Sequence, residues 1–144
     1  MDCGRHYAKE FPARLDALPA VWAFVVEACD AAGFSRDAGL KVGLIVEELF
    51  SNTVQHGHGG DSDAPVDLAV DVEPGRVTLT YEDTAPAHDP FAAVAAPDVE
   101  ATVEEREVGG LGVLLVATMA SDVAYSRAGG RNRIRLVVTS GGAR

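Results

Sequence analysis

The chain has 144 residues, of which 47% are hydrophobic and 24% charged, with a formal net charge of −10. That composition predicts a single globular domain over 1–144 with a sizeable core. No run approaches the ~20 apolar residues that span a bilayer, and Met1-Asp2-Cys3-Gly4-Arg5-His6 lacks the basic-then-apolar pattern of a signal peptide. A cytoplasmic protein with no membrane contact is therefore expected. The acidic balance disfavours direct nucleic-acid binding, which needs a basic phosphate-tracking surface, and suits a basic protein partner.

Residues 5–11 read as a short strand. From Pro12 to Ala32, Leu15, Leu18, Trp22, Val25, Val26 and Cys29 recur at three- and four-residue spacing, which predicts a helix closed by Gly33. Core packing accounts for Trp22 and Phe24. Cys3 and Cys29 stand far apart with no CxxC, so two reduced thiols are expected. Ser35, with Asp37 just behind it, is placed to cap a second helix over 36–57 that Gly57 ends.

The second helix holds the most informative pattern in the chain. Val42, Val46, Leu49, Phe50 and Thr53 give it a core side, and Leu44 and Ile45 make the flanks apolar. Glu48 and Asn52, four residues apart, share the other face about 5–6 Å from one another. A carboxylate facing into protein is costly unless a metal, a proton or a ligand meets it. A solvated polar stripe is the plainer account of the same pair. His56-Gly57-His58 has no third metal partner at recognisable spacing, so a structural role is expected there. His56 falls one turn further along the Glu48/Asn52 face.

After a Gly-rich loop, Val66, Leu68, Val70 and Val72 alternate along one strand, and Val77, Leu79 and Tyr81 along the next. Pro74-Gly75 turns between them. The alternation puts Asp83 on the inward face where its strand breaks, either as a turn cap or as a ligand acceptor. His88 reads as solvated unless it lines a pocket. A weakly patterned acidic stretch, Asp98 to Glu107, leads to Gly109-Gly110-Leu111-Gly112, which opens a short apolar helix from Val113 to Ala120. Such a turn either cradles phosphate on helix N–H groups or packs a helix closely on a sheet. A last hairpin, 122–128 and 132–139, turns on Gly129-Gly130. The cluster of Arg127, Arg131, Arg133 and Arg135 there reads as a solvated strand face. No Ser-His-Asp or Cys-His arrangement is present. The order β-α-α-β-β-loop-α-β-β predicts an α+β two-layer sandwich, an antiparallel-rich mixed sheet with helices on one face.

Taken together, Glu48-Leu49-Phe50-Ser51-Asn52-Thr53-Val54-Gln55-His56-Gly57, Asp83-Thr84-Ala85-Pro86-Ala87, Asp89-Pro90-Phe91, Gly109-Gly110-Leu111-Gly112 and Gly130-Arg131-Asn132-Arg133-Ile134 resemble the GHKL (Bergerat) ATP-binding fold, the histidine-kinase-like ATP-binding domain. Within it the chain is most similar to the anti-sigma-factor serine/threonine kinases of bacterial partner-switching systems, from about Phe11 to Val138. The resemblance implies ATP and Mg²⁺ as cofactors, with Asn52 as metal ligand and Glu48 as the base that takes a serine proton. It implies that Asp83 accepts from the adenine amino group beside Ala85. The N–H groups of Gly110, Leu111 and Gly112, in the turn that Gly109 opens, would cradle phosphate, and residues 92–108 would form a lid. The implied partners are a sigma factor and a STAS-domain anti-anti-sigma protein, and the implied assembly is a homodimer.

Ala85 departs from the family's Asp-x-Gly pattern. If that position needs positive φ, alanine costs on the order of 1 kcal/mol and shifts the adenine. The departure motivates a second reading, a non-catalytic protein-binding module with weak or no ATP use. A third is ATP hydrolysis without a protein acceptor. A sensor histidine kinase of this fold also carries a phosphoacceptor helical hairpin, and a gyrase-type ATPase a transducer domain. Neither is read in this sequence.

Overall fold

The computed structural model describes residues 4–87 and 120–139. Strand β1 (Arg5–Pro12) is followed by a short 3-10 turn (Leu15–Ala17) and helices α1 (Leu18–Ala31) and α2 (Arg36–Asn52). The hairpin β2 (Pro65–Glu73) and β3 (Arg76–Asp83) comes next, and β4 (Ala120–Ala128) and β5 (Arg131–Thr139) form the last hairpin. The five strands make one sheet in the order β1-β2-β3-β5-β4. Every pairing among the described residues is antiparallel, where a mixed sheet was expected.

The first helix is shorter than the spacing suggested. Pro12 still belongs to β1, opposite Pro65, and helical geometry starts only at Leu18, with Pro19 in the first turn. A proline has no N–H to give the preceding turn and its ring blocks the carbonyl four residues back, so it is tolerated only at a helix start. At the other end, Gly33 takes φ +83. Its N–H bonds Asp30 O at 3.0 Å, and Phe34 N–H bonds Cys29 O at 3.1 Å. This is the paired closure that a left-handed residue permits. Ser35 caps α2 as expected, its hydroxyl oxygen accepting from Ala38 N at 3.1 Å. The helix expected from Val113 lies outside the described residues except for its last position, Ala120, which is the first residue of β4.

Period-two alternation sends Val66, Leu68, Val70 and Val72 of β2, Val77, Leu79 and Tyr81 of β3, and Ile134, Leu136 and Val138 of β5 to the helix side. Val21, Val25 and Cys29 of α1 and Val42, Ile45, Val46, Leu49 and Phe50 of α2 close the core from above. Each such side chain contributes about 1.5–3 kcal/mol when fully buried. The opposite sheet face carries Arg131 and Arg133 of the expected cluster, whereas Arg127 faces the helix side, opposite Asn132. Arg131 pairs with Asp67 at 2.7 Å and Glu82 at 3.4 Å, and Arg133 with Glu82 at 3.0 Å. Among the described residues, no helix is long and apolar enough to cross a membrane.

Cys29 is a buried free thiol, and desolvation pushes its pKa from 9.0 up to about 12. The folded chain thus keeps a proton that the unfolded chain releases. The associated stability is fully present below the unfolded pKa and is lost as pH rises toward the folded one. Denaturant unfolding between about pH 8 and pH 11 will show stability falling less steeply in Cys29→Ala than in the wild type, by at most about 1.4 kcal/mol per pH unit. Equal slopes would show that the thiol does not titrate in this way.

Candidate nucleotide site

One row of residues crosses all five strands on the helix side: Phe11, Val66, Asp83, Asn132 and Arg127. Its centre is polar although it lies under α2. Asp83 is 6% exposed and Asn132 and Thr53 are each 4% exposed. Buried polar groups persist only when hydrogen-bonded, and each of these is.

Asp83 Oδ2 accepts from the Thr53 hydroxyl at 2.7 Å. Asp83 Oδ1 accepts from Asn132 Nδ2 at 2.8 Å and from Ala85 N–H at 3.2 Å. Tyr81 OH lies 2.6 Å from Thr53 Oγ1. Leu49 O is within 3.0 Å of the threonine oxygen and 3.2 Å of the tyrosine oxygen. Each hydroxyl has one proton. The assignment that serves the carboxylate is Tyr81 O–H donating to Thr53 Oγ1 while Thr53 O–H donates to Asp83 Oδ2. Burial raises the Tyr81 pKa, so that phenol stays a donor. Of the two roles weighed from the sequence, the hydrogen bonds show the turn cap, made through Ala85 N–H, and Asp83 also lines a cavity.

That cavity, of about 230 Å³, is lined among others by Asn52, His56, Tyr81, Asp83, Ala85 and Asn132. Asn52 arrives from the end of α2, where Asn52 Nδ2 donates to Glu48 Oε2 at 3.3 Å. The two side chains are in contact across one helical turn, as their spacing predicted. Glu48 touches Asn52 but is not among the cavity's lining residues. Donation through Nδ2 leaves Asn52 Oδ1, a hard oxygen, for a cation. No group of three or more His, Cys, Asp or Glu that could hold a metal occurs among the described residues. A single amide oxygen suits Mg²⁺, which is commonly held by few protein ligands together with substrate phosphates and water. His56 lines the cavity, one turn beyond Asn52.

Two features depart from expectation. Helix α2 does not run to Gly57; residues Thr53–Gly57 form a π turn, in which His58 N–H bonds Thr53 O at 2.9 Å. Ala85 has no positive φ, since no described residue other than glycine does. The strain considered for alanine at this position is therefore absent. The phosphate turn Gly109, Gly110, Leu111 and Gly112, the segment 92–108 and His88 lie outside the described residues.

Sequence reasoning missed Thr53, assigned to the core, and Asn132, quoted within a motif but given no role. Both hold Asp83. Asn132 further donates to Ala85 O at 3.1 Å and Pro86 O at 3.0 Å. Its Oδ1 accepts from Tyr125 OH at 2.6 Å. The available signal was register: Asn132 falls inward on β5, two residues before Ile134. Asn132→Ala removes the donor to two buried acceptors, Asp83 Oδ1 and Ala85 O, and will lower unfolding free energy by about 2–4 kcal/mol in denaturant titration. A loss below about 0.5 kcal/mol would show that the network does not depend on it.

The histidine kinase-like ATPase domain family matches residues 11–138. The serine-protein kinases RsbW of Listeria monocytogenes and Listeria innocua are 26% and 25% identical over 95 residues, which is 64% of this chain. The match spans 60% of the length of those relatives. A histidine kinase domain from the Erythrobacter litoralis EL346 blue-light activated histidine kinase superposes with a TM-score of 0.52 at 17% identity. That superposition covers 91% of this chain and 62% of the other, and speaks to the fold. With the five-stranded sheet and two covering helices of its described residues and this match over most of its length, the chain belongs to the histidine kinase-like ATPase domain family.

Proposed function

We propose that the protein is an ATP-dependent serine protein kinase and anti-sigma factor of a partner-switching system. In this reading it binds a sigma factor and phosphorylates a serine of a STAS-domain anti-anti-sigma partner. The observation that carries the reading is the contact between Glu48 and Asn52 at 3.3 Å, with Asn52 on the wall of the cavity that Asp83 floors. The similarity to two serine-protein kinases supports the choice of acceptor.

The chemistry follows from these groups. Asp83 keeps acceptor capacity on Oδ2, where Thr53 is the only described donor, and an exocyclic adenine N–H would fill it. A guanine oxygen there would face the carboxylate and be repelled. Mg²⁺ would sit on Asn52 Oδ1 and neutralise phosphate charge. Glu48 takes the proton of the incoming serine hydroxyl as its oxygen bonds to the γ-phosphorus. The bond from the γ-phosphorus to the β–γ bridging oxygen would break, and ADP would leave with that electron pair. Such transfers rest mainly on positioning and charge stabilisation, and a base one helical turn from the metal ligand provides fixed geometry for both. A homodimer and a cytoplasmic location belong to the same proposal.

The test has two parts. Thermal unfolding with ATP, ADP and GTP, with and without Mg²⁺, will show a Mg²⁺-dependent stabilisation by adenine nucleotides alone. A ligand at a hundredfold excess over Kd adds roughly 2.7 kcal/mol to the native state. Glu48→Gln will then lose phosphoryl transfer to a STAS-domain acceptor by about 100-fold or more while keeping ATP and partner binding. Undiminished transfer in that variant would remove Glu48 as the base. No stabilisation at millimolar ATP would favour a protein-binding module without nucleotide use.

A further inference from the structure

Ala85 and Gly57 meet on the wall of the cavity. A Cβ built on Gly57 would stand 2.6 Å from the Cβ of Ala85. Carbon atoms of two side chains do not approach so closely, so one element would have to move. Gly57 has no positive φ to explain its presence, as the positive-φ glycines do not include it. What requires glycine here is the alanine across from it.

Neither partner is free to retreat. Ala85 is held through its N–H to Asp83 Oδ1, and through its carbonyl oxygen, which accepts from Arg127 Nη1 at 2.7 Å and Asn132 Nδ2 at 3.1 Å. Asn132 itself binds Asp83 Oδ1. Gly57 closes the π turn that begins at Thr53, and Thr53 donates to Asp83 Oδ2 at 2.7 Å. Moving the loop disturbs one carboxylate oxygen, and moving the helix end disturbs the other.

We infer that Gly57 is a positioning residue for nucleobase recognition: with alanine at 85, the missing side chain at 57 lets the end of α2 and the Asp83 turn close on one carboxylate. The steric freedom that a glycine at 85 would supply is supplied from the facing helix end instead. The inference rests on the adenine-binding reading of Asp83 and adds a residue to that site, 26 positions away in the chain (83 − 57 = 26).

A double-mutant cycle in the full chain tests it, with Gly57→Ala, Ala85→Gly and both together. Titration calorimetry with ATP and with GTP in Mg²⁺ gives affinities, and thermal scans without nucleotide give stability. In the wild-type background Gly57→Ala will weaken ATP binding by about tenfold, the effect of one misaligned charged hydrogen bond, and narrow the preference for ATP over GTP. In the Ala85→Gly background the same substitution will cost no more than about threefold, because the facing Cβ is gone. An equal loss in both backgrounds, or an ATP-to-GTP ratio unchanged by Gly57→Ala, would overturn the inference. If Gly57→Ala alone does not fold, folding of the double variant supports the pairing, and failure of both opposes it. If the wild type binds no adenine nucleotide, the kinase reading fails, and the steric pairing is judged from the unfolding midpoints alone. There Ala85→Gly must recover at least half of the drop caused by Gly57→Ala.

Discussion

A carboxylate buried beneath a helix is the constraint around which the rest of this structure is arranged. Taking Asp83 out of water is expensive unless donors replace the solvent, and the donors come from three places. Thr53 arrives from the end of α2, Asn132 from the neighbouring strand and Ala85 N–H from the turn that follows. The helix must end where it does, the β3–β5 register must be what it is, and the turn must fold back on its own aspartate. A shift of one residue in β5 would send Asn132 to the outer face and leave the carboxylate one donor short. Fold and site are thus stabilised by the same bonds.

Helix α2 serves two purposes with two faces. Val42, Val46, Leu49 and Phe50 are buried in the core, which fixes the helix against the sheet. Glu48 and Asn52 stand away from that seam, half-buried and in contact. Rigid packing on one face is what lets the other hold two groups a turn apart without drift. The last turn loosens into π geometry over Thr53–Gly57, and that is where Thr53 reaches Asp83 and Gly57 meets Ala85. Widened turns of this kind occur often where a helix must present groups to a site.

On the outer face of the sheet, two arginines of the basic cluster meet carboxylates of neighbouring strands. Arg131 and Arg133 are engaged by Asp67 and Glu82 across neighbouring strands. Exposed pairs of this kind contribute at most about 1 kcal/mol each. Arg127 points the other way, toward the site, where it binds the Ala85 carbonyl. Alternation along β5 puts Arg131, Arg133 and Arg135 on one face, and the hairpin register, which sets Arg127 of β4 opposite Asn132, puts Arg127 on the other.

Local patterns determined much of this protein. Alternation in β2, β3 and β5, the three- and four-residue spacing in α1 and α2, the Ser35 cap and the Gly33 closure are each set by neighbours within a few residues, and each was legible. So was the Glu48–Asn52 pair, because one helical turn fixes that distance whatever surrounds it. The roles of Thr53 and Asn132 were not legible, since both depend on contacts 30 and 49 residues away in sequence. Thr53 follows the same spacing as the core residues before it, and only the approach of β3 makes its hydroxyl a donor to Asp83. The backbone conformation of Ala85, left conditional by the sequence, was likewise decided only by the fold. From the sequence this residue is a replaced glycine that would be strained if its φ were positive, and in the fold its φ is not positive, while the position its side chain faces, Gly57, has no Cβ. Short-range periodicity decides which elements form and which way they face. Which polar atoms meet across those elements is decided by tertiary packing, because a hydrogen bond needs a partner at about 3 Å and no local rule specifies where a distant residue will stand.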